Sequence, residues 1–359
     1  MTAAPAQTAR HDPLGAHLND LLEEARISPR TLSRRGRWSL KPPVAHHTMT
    51  CVKIALVFGM RMFKVSPLRA MIDIARVADE VGLDYICLAE HVLMHGQPNL
   101  AAHTFGQPRH APDELMPEPL TTLAAIAGAT RRIGLMTGIL IAPLRPAALL
   151  AKTAAPLHAL SAGRLVLGVS TSWQSEEYAA LGVPFAQRGQ RLDDTLGACR
   201  ALWSGGPASF ASETVSFEDM YCEPRPAHVD DIPIWFGGKF TPRLVRRITR
   251  LGHGWIPFQG YGESLGDIAA KGQQLRGALR RAGRDPGTLD IAYWMPTFGR
   301  SIEAVLEDIP NMAEAGVTVG ELLFAPYVET PAQAPRFLER LARRLETYRS
   351  TSPSLASGS

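Results

Sequence analysis

The chain has 359 residues, of which 45% are hydrophobic and 20% charged, so it can bury a large core and is not disordered overall. Its 38 basic residues barely outnumber its 34 acidic ones, and a formal net charge of +4 does not indicate nucleic acid as a partner. The four cysteines lie far apart and predict neither zinc nor disulfides, and no apolar run reaches the roughly 18 residues of a membrane span, which together favour a cytoplasmic protein.

Residues 1–50 differ from the rest of the chain because they are rich in Ala, Arg, His and Pro and contain one short helical pattern. We expect them to be an N-terminal extension, poorly ordered or accessory. Two short helices around Ser28 and Pro29 are weakly similar to a helix-turn-helix, so an arm that binds DNA is an alternative. We expect a single barrel domain over residues 51–348 and a flexible tail over residues 349–359.

Short apolar runs alternate with longer amphipathic stretches from Val52 onward, as is typical of repeated βα units around a parallel sheet. The predicted strands are residues 52–58, 83–89, 132–138, 164–170, 232–238, 254–258, 289–295 and 317–324. Eight parallel strands are the number that closes a barrel. The predicted fold class is therefore α/β, a (β/α)8 TIM barrel with an N-terminal extension.

Prolines mark where several of the intervening helices begin. Pro67, Pro146 and Pro242 each precede or open an amphipathic stretch, and proline is tolerated in the first helical turn. Two connections are longer than usual for a barrel, residues 90–117 after the second strand and residues 204–231. The first is a candidate substrate lid, since long loops at the C-terminal ends of strands build barrel active sites. The second is interpreted as an excursion from the barrel.

The residues expected at the C-terminal ends of the strands are mostly apolar or glycine. They are Phe58, Gly59, Met60, Arg61, Glu90, His91, Thr137, Gly138, Ile139, Ser170, Thr171, Ser172, Trp173, Gly237, Gly238, Lys239, Pro257, Phe258, Trp294 and Met295. Such a mouth suits a large planar ring better than a small charged metabolite. No convergent Ser/His/Asp set or carboxylate pair is evident, which disfavours a hydrolase of those types.

The segment WFGGKFTP, residues 235–242, places two glycines, Lys239 and a Thr-Pro helix start directly after a strand. Free backbone N–H groups, the helix dipole and the lysine together favour a phosphate there. A plain β-to-α turn is the alternative.

His91 follows Glu90 at the end of the second strand, and His95 comes four residues later. His91 could contact a ring or act as a general acid near neutral pH, or it could be a loop histidine that binds only water. A metal site is disfavoured, because Gly96 and Pro98 oppose the helix that a His-x-x-x-His pair needs.

Three long stretches resemble the luciferase-like monooxygenase family: EPLTTLAAIAGATRRIGLMTGILIAP, GRLVLGVSTSWQSEEYAALGVPFAQRGQRLDDTLGACRALWSGG and PIWFGGKFTPRLVRRITRLGHGWIP. The similarity runs from Val52 to about Leu345 and is strongest to the branch of deazaflavin (coenzyme F-420) dependent oxidoreductases. It implies a (β/α)8 barrel with a cofactor ring over the strand ends and redox chemistry on a separate organic substrate.

The resemblance also implies roles for individual residues. His91 would contact the ring, Thr137, Gly138 and Ile139 would back it, and the step Gly138-Ile139 would be a non-prolyl cis peptide. The turn from Gly168 through Ser170, Ser172 and Trp173 would border the ring, and Gly237, Gly238 and Lys239 would hold the phosphate. The chain departs from the family pattern GVGxGW-Asn at Ser170, Ser172 and Gln174, and it lacks the acidic residue that sugar-phosphate dehydrogenases of the family place in this turn.

The leading hypothesis is therefore an oxidoreductase that transfers hydride between coenzyme F-420 and an apolar organic substrate. His91 and Arg61 are the candidate catalytic residues, with Arg61 anchoring a substrate anion and His91 supplying a proton.

An FMN-dependent monooxygenase using O2 is the alternative within the class, and a metal-dependent barrel hydrolase using His91, His95, His103 and His110 is the alternative from another class. We expect a small-molecule substrate, no nucleic acid or membrane partner, and a possible homodimer. The resemblance implies a family chain that starts near Val52, with Met49 as the plausible initiator.

Overall fold

The computed structural model describes residues 52–58, 68–96, 113, 115–258 and 263–351. These described residues all belong to one compact unit. The predicted N-terminal extension, Arg61, most of the predicted lid, and His103 and His110 lie outside the described residues.

Eight parallel strands close into a barrel, so the predicted fold is confirmed. In barrel order they are β1 (Lys53–Phe58), β2 (Tyr85–Leu88), β3 (Gly134–Thr137), β5 (Leu165–Ser170), β8 (Ile234–Gly237), β9 (Gly254–Ile256), β10 (Asp290–Trp294) and β11 (Val319–Leu323). Each pairs in parallel with the next, and β11 pairs with β1 to complete the ring. All eight strands coincide with runs predicted from the sequence.

Helices surround the barrel and return the chain to its N-terminal end. They are α1 (Leu68–Glu80), α2 (Pro119–Ala129), α3 (Ala147–Leu160), α4 (Ser175–Ala180), α5 (Arg188–Trp203), α6 (Pro242–Leu251), α7 (Leu265–Arg281), α8 (Ile302–Leu306), α9 (Ile309–Glu314) and α10 (Ala334–Thr351). The predicted starts of α1, α3 and α6 are confirmed. Thr241 caps α6 by accepting a hydrogen bond from the Leu244 N–H at 3.2 Å.

Side-chain alternation along the strands divides the core into two clusters. On β1, Ile54 and Leu56 pack outward against the helices, whereas Ala55 and Val57 belong to the cluster inside the barrel. The inner cluster fills the barrel below the strand ends, so a ligand has access only at the mouth.

The structure adds three elements that the sequence pattern did not predict. A two-residue strand, β4 (Leu140–Ile141), follows β3 and pairs with the end of β5. The connection 204–231 carries an antiparallel hairpin, β6 (Ala208–Ala211) and β7 (Ser216–Met220), so it is more than a plain excursion. The last helix, α10, runs to Thr351, into residues assigned to the flexible tail.

Within the described part of the chain, every helix is too short or too polar to cross a membrane.

Candidate active site

Residues from four consecutive barrel strands meet around the bare Cα of Gly237. A Cβ at this position would lie 2.7 Å from Cγ2 of Ile139, 3.4 Å from Cβ of Ser170 and 3.6 Å from Cζ of Phe258. These residues follow or end β3, β5 and β9, and Gly237 itself ends β8. The sequence placed all four at the strand ends, and the structure brings them into one apolar cluster at the mouth.

The peptide bond between Gly138 and Ile139 is cis, as the resemblance implied. Gly138 has no room for a side chain, since a Cβ there would lie 2.3 Å from Sγ of Cys87. After this step the chain turns into β4, whose Ile141 pairs with Ser170.

Thr137 and Gly168 lie just below the mouth and are buried. The Thr137 hydroxyl donates to the Gly168 carbonyl at 2.7 Å, and a Cβ on Gly168 would lie only 2.0 Å from the Thr137 carbonyl oxygen. This contact joins β3 to β5. Both residues thus have a structural role, and their predicted contact with a cofactor stays a prediction.

His91 is held at the mouth by a buried carboxylate. Its Nδ1 lies 3.2 Å from Oε2 of Glu177, and the two side chains are 10% and 0% exposed. The His91 ring also meets the Trp173 ring edge to face, with centroids 5.6 Å apart. Because a carboxylate can only accept, the proton is assigned to Nδ1, which makes Nε2 the acceptor nitrogen of the neutral ring.

Glu177 and Gln174 fix the segment that carries His91, and sequence reasoning missed both functions. Glu177 Oε1 accepts from the N–H groups of Val92 and Leu93, while Gln174 donates to the Leu93 carbonyl and accepts from the His95 N–H. Gln174 is fully buried and Glu177 is 1% exposed. The family pattern marked Gln174 only as a departure from Asn. In the structure, the longer side chain of Gln174 reaches the segment after β2 that carries His91.

The turn after β5 is rigid for a local reason. Ser172 adopts a φ of +55°, in the left-handed region that glycine adopts without cost. Tyr178 closes the turn by donating from its hydroxyl to the Thr171 carbonyl at 2.6 Å. Ser172 Oγ is buried and has no hydrogen-bond partner among the described residues.

The predicted phosphate turn needs a correction at Gly238. Its N–H donates to the Ile256 carbonyl at 3.0 Å, so the expectation that this amide is free for a phosphate is wrong. The parallel pairing of β8 with β9 continues one residue past Gly237, and the Gly238 N–H is part of that pairing. Gly238 keeps a φ of +141° with open space where a Cβ would stand, and Lys239 is exposed. Of the groups predicted to hold a phosphate at this turn, the Lys239 side chain and the N-terminal end of α6 still fit that role.

Glu90, which precedes His91, is buried and organises the backbone after the cis step. Its carboxylate accepts from the Ile141 N–H at 2.6 Å and pairs with Arg145, which also bonds Glu118 at 2.7 Å. Burial alone would lower the pKa of Arg145, but the two carboxylates raise it above its usual value, so the guanidinium stays charged.

Metal ligation gains no support from the described residues, where no group of three or more His, Cys, Asp or Glu side chains could hold an ion. His103 and His110 lie outside that part, as does Arg61, so the role proposed for Arg61 stays a prediction.

The model of the luciferase-like monooxygenase family matches residues 46–354. An uncharacterised protein of Mycobacterium tuberculosis is 30% identical over 273 residues, which cover 76% of this chain and 92% of the relative. An F-420-dependent glucose-6-phosphate dehydrogenase of Kineococcus radiotolerans is 30% identical over 222 residues, covering 61% and 60%.

Solved structures share the fold at lower identity. An F-420-dependent secondary alcohol dehydrogenase in complex with an F-420-acetone adduct superimposes with a TM-score of 0.63 at 14% identity, covering 81% of this chain and 98% of that chain. The oxygenating constituent of 3,6-diketocamphane monooxygenase from Pseudomonas putida, in complex with FMN, gives 0.61 at 16% identity, covering 82% and 98%.

Proposed function

Since this chain belongs to the luciferase-like monooxygenase family and is an oxidoreductase, we propose that it transfers hydride between coenzyme F-420 and an apolar organic substrate. The observation that carries the proposal is the convergence of Ile139, Ser170 and Phe258 on the bare Cα of Gly237. These contacts form a mostly apolar wall at the open end of a barrel whose interior is filled.

The residues at the ring end fit a flavin or deazaflavin. Ile139 packs against the bare Cα of Gly237, Gly138 presents backbone without a side chain, and Trp173 adds an aromatic edge beside His91. At the tail end, Lys239 and the N-terminal end of α6 supply positive charge for a phosphate without the Gly238 amide.

When bound, the cofactor supplies the two-electron hydride chemistry, and the protein supplies position and a proton. His91 is the proposed proton group. With Nδ1–H directed to Glu177, its Nε2 can receive a proton, and the carboxylate stabilises the imidazolium that results. Glu177 is then a positioning residue, because it acts through His91.

One comparison favours coenzyme F-420 over FMN. Two relatives named as F-420-dependent glucose-6-phosphate dehydrogenases are 30% and 28% identical over 61% and 76% of this chain. The turn after β5 lacks the acidic residue of the sugar-phosphate enzymes and carries Thr171 and Ser172 instead, which favours a less polar substrate. The FMN-dependent monooxygenase stays the alternative.

The test is a side-by-side titration of the purified protein with F-420 and with FMN, followed by cofactor fluorescence and absorption. We expect tighter binding of F-420, and we expect Gly237→Val to weaken it at least about tenfold because the new side chain would strike Ile139 and displace it from its place at the mouth. The exposed Gly128→Ala on α2 is the control and should bind as the parent does. Binding of neither coenzyme would refute the proposal. Oxygen uptake coupled to substrate oxidation would favour the FMN enzyme, since a 5-deazaflavin reacts poorly with O2.

A further inference from the structure

Glu321 is an acidic residue inside the barrel to which the proposed chemistry assigns no part. It lies on β11 between Val319 and Leu323, which both belong to the inner cluster, so its side chain also enters the barrel. It is 4% exposed. A carboxyl group in an apolar interior is costly unless it is paired or neutral.

The surroundings of Glu321 place it directly behind the cis step at the mouth. A Cβ on Gly138 would lie 3.3 Å from Glu321 Oε1, so the bare backbone of Gly138 covers the carboxyl. Sγ of Cys87 lies 4.0 Å from the same oxygen.

Within the described part of the chain, no Lys, Arg or His side chain forms an ion pair with Glu321. The inward residues of the paired strands cannot ionise: Ala55 and Val57 come from β1, and Ala292 and Trp294 come from β10. Among the described residues, Cys87 on β2 is the titratable group that contacts the carboxyl, and burial raises the pKa of this thiol well above its usual range, so it stays neutral. Burial likewise raises the pKa of Glu321 to about 7. At neutral pH the carboxyl is thus divided between its charged and neutral forms.

We propose that Glu321 is a positioning residue that couples ligand binding at the mouth to the uptake of a proton from solvent by the ionised fraction of its carboxyl group. An apolar ring seated on the Gly138-Ile139 step would remove the remaining water from the carboxyl and favour its neutral form. The neutral form also has an O–H that can donate a hydrogen bond within the barrel. The inference rests on the proposed function, because it needs a planar ring at this step.

Linkage sets the sign of the effect. A ligand that favours the protonated carboxyl binds more weakly as the pH rises through neutrality, and binding takes up protons in that range. A variant that cannot ionise at residue 321 loses this contribution and keeps only the titration of the ligand and of other groups.

The experiment compares the parent protein with Glu321→Gln, using F-420 as the probe and FMN as the second probe. Dissociation constants are measured from pH 6 to pH 8, and proton uptake is measured by calorimetry in two buffers with different ionisation enthalpies. We expect the ratio of the parent Kd to the variant Kd to rise at least about fivefold over this range. Proton uptake near pH 7 should be smaller in the variant.

Glu314→Gln, at an exposed position on α9, is the control and should follow the parent at every pH. If Glu321→Gln does not fold, Glu321→Met, of similar volume, takes its place with the same expectation. A Kd ratio that stays constant with pH would overturn the inference and leave the proposed function standing. Binding of neither coenzyme to the parent or the control would overturn the proposed function itself.

Discussion

Buried carboxylates organise the mouth of this barrel, each through a different partner. Glu177 meets an imidazole and two backbone N–H groups, and Glu90 meets Arg145 and a backbone N–H. Among the residues that the structure describes, the side-chain partner of Glu321 is the Cys87 thiol. A buried charge is tolerated when it is paired and hydrogen-bonded. The first two are therefore suited to a structural role, and Glu321 is suited to a change of protonation state.

Replacing Glu177 with Ala should cost about 2 kcal/mol of unfolding free energy, because His91 and the N–H groups of Val92 and Leu93 lose their acceptor. Glu177→Gln keeps one carbonyl oxygen and should cost about half of that. Urea unfolding followed by tryptophan fluorescence measures both. Glu346→Ala, exposed on α10, should change stability by less than about 0.5 kcal/mol. An equally small effect of Glu177→Ala would contradict the stabilising role of Glu177 in holding the segment of His91, Val92 and Leu93.

Glu321 should make stability depend on pH with a definite sign. The ordinary pKa of a glutamate is 4.5 and burial raises that of Glu321 to about 7, so the folded protein binds this proton more tightly than the unfolded chain. Below pH 4.5 Glu321 therefore does not destabilise the folded state through its ionisation. As the pH rises to 7, the resulting loss in the free energy of unfolding grows to about 3 kcal/mol.

Glu321→Gln should consequently gain stability over the parent by about 3 kcal/mol between pH 4.5 and pH 8. Urea unfolding at the two pH values gives this difference, and groups that titrate in both proteins cancel. Equal differences at both pH values would show that the carboxyl is not desolvated as the structure indicates.

At the scale of elements, close backbone approach joins neighbouring strands where the mouth is built. The pair β3 and β5 is the tightest case, since Gly168 lets the Thr137 carbonyl approach the strand. The same pair is joined by the Thr137 hydroxyl at 2.7 Å. The spacing of these two strands then sets the position of the cis step and of the turn after β5, which follow them directly.

Gly168→Ala should destabilise the protein by about 3 kcal/mol, because the new methyl group would meet a backbone oxygen that cannot move aside. The same substitution at Gly128, exposed on α2 with open space around it, should add about 0.5–1 kcal/mol by removing glycine from a helix. Chemical denaturation of the two variants tests both signs. A neutral Gly168→Ala would show that the strands can separate without cost.

At the scale of the whole molecule, the barrel is closed by long-range pairing of its first and last strands. β1 pairs on one side with β2, which follows it in the chain, and on the other side with β11, the last strand of the barrel. The strand pairing of the described barrel begins with β1.

A chain that starts at Met49 should therefore fold and bind cofactor as the full chain does. We expect the unfolding temperature to change by less than about 2 °C, a shift that corresponds to well under 1 kcal/mol for a domain of this size. Thermal unfolding and the F-420 titration check this. A loss of cofactor affinity would instead assign the N-terminal residues a part in the site.

The sequence by itself determined the fold class, because alternation of apolar strands with amphipathic helices is a local pattern, and all eight barrel strands lie where that pattern predicts them. It also placed His91, Ile139, Ser170, Gly237 and Phe258 at strand ends, since the chain order of a βα unit fixes which residues reach the mouth. The family motifs added the cis step at Gly138.

Tertiary structure decided which groups meet. Glu177 contacts His91 although the two lie 86 positions apart in the sequence, and Cys87 contacts Glu321 across 234 positions. No periodicity along the chain encodes contacts between residues so far apart. The Gly238 amide was predicted to be free because the turn pattern favours a phosphate, but pairing with Ile256 uses it. Hydrogen-bond partners and desolvation depend on three-dimensional neighbours, so the charge state and role of a buried group follow only from the folded barrel.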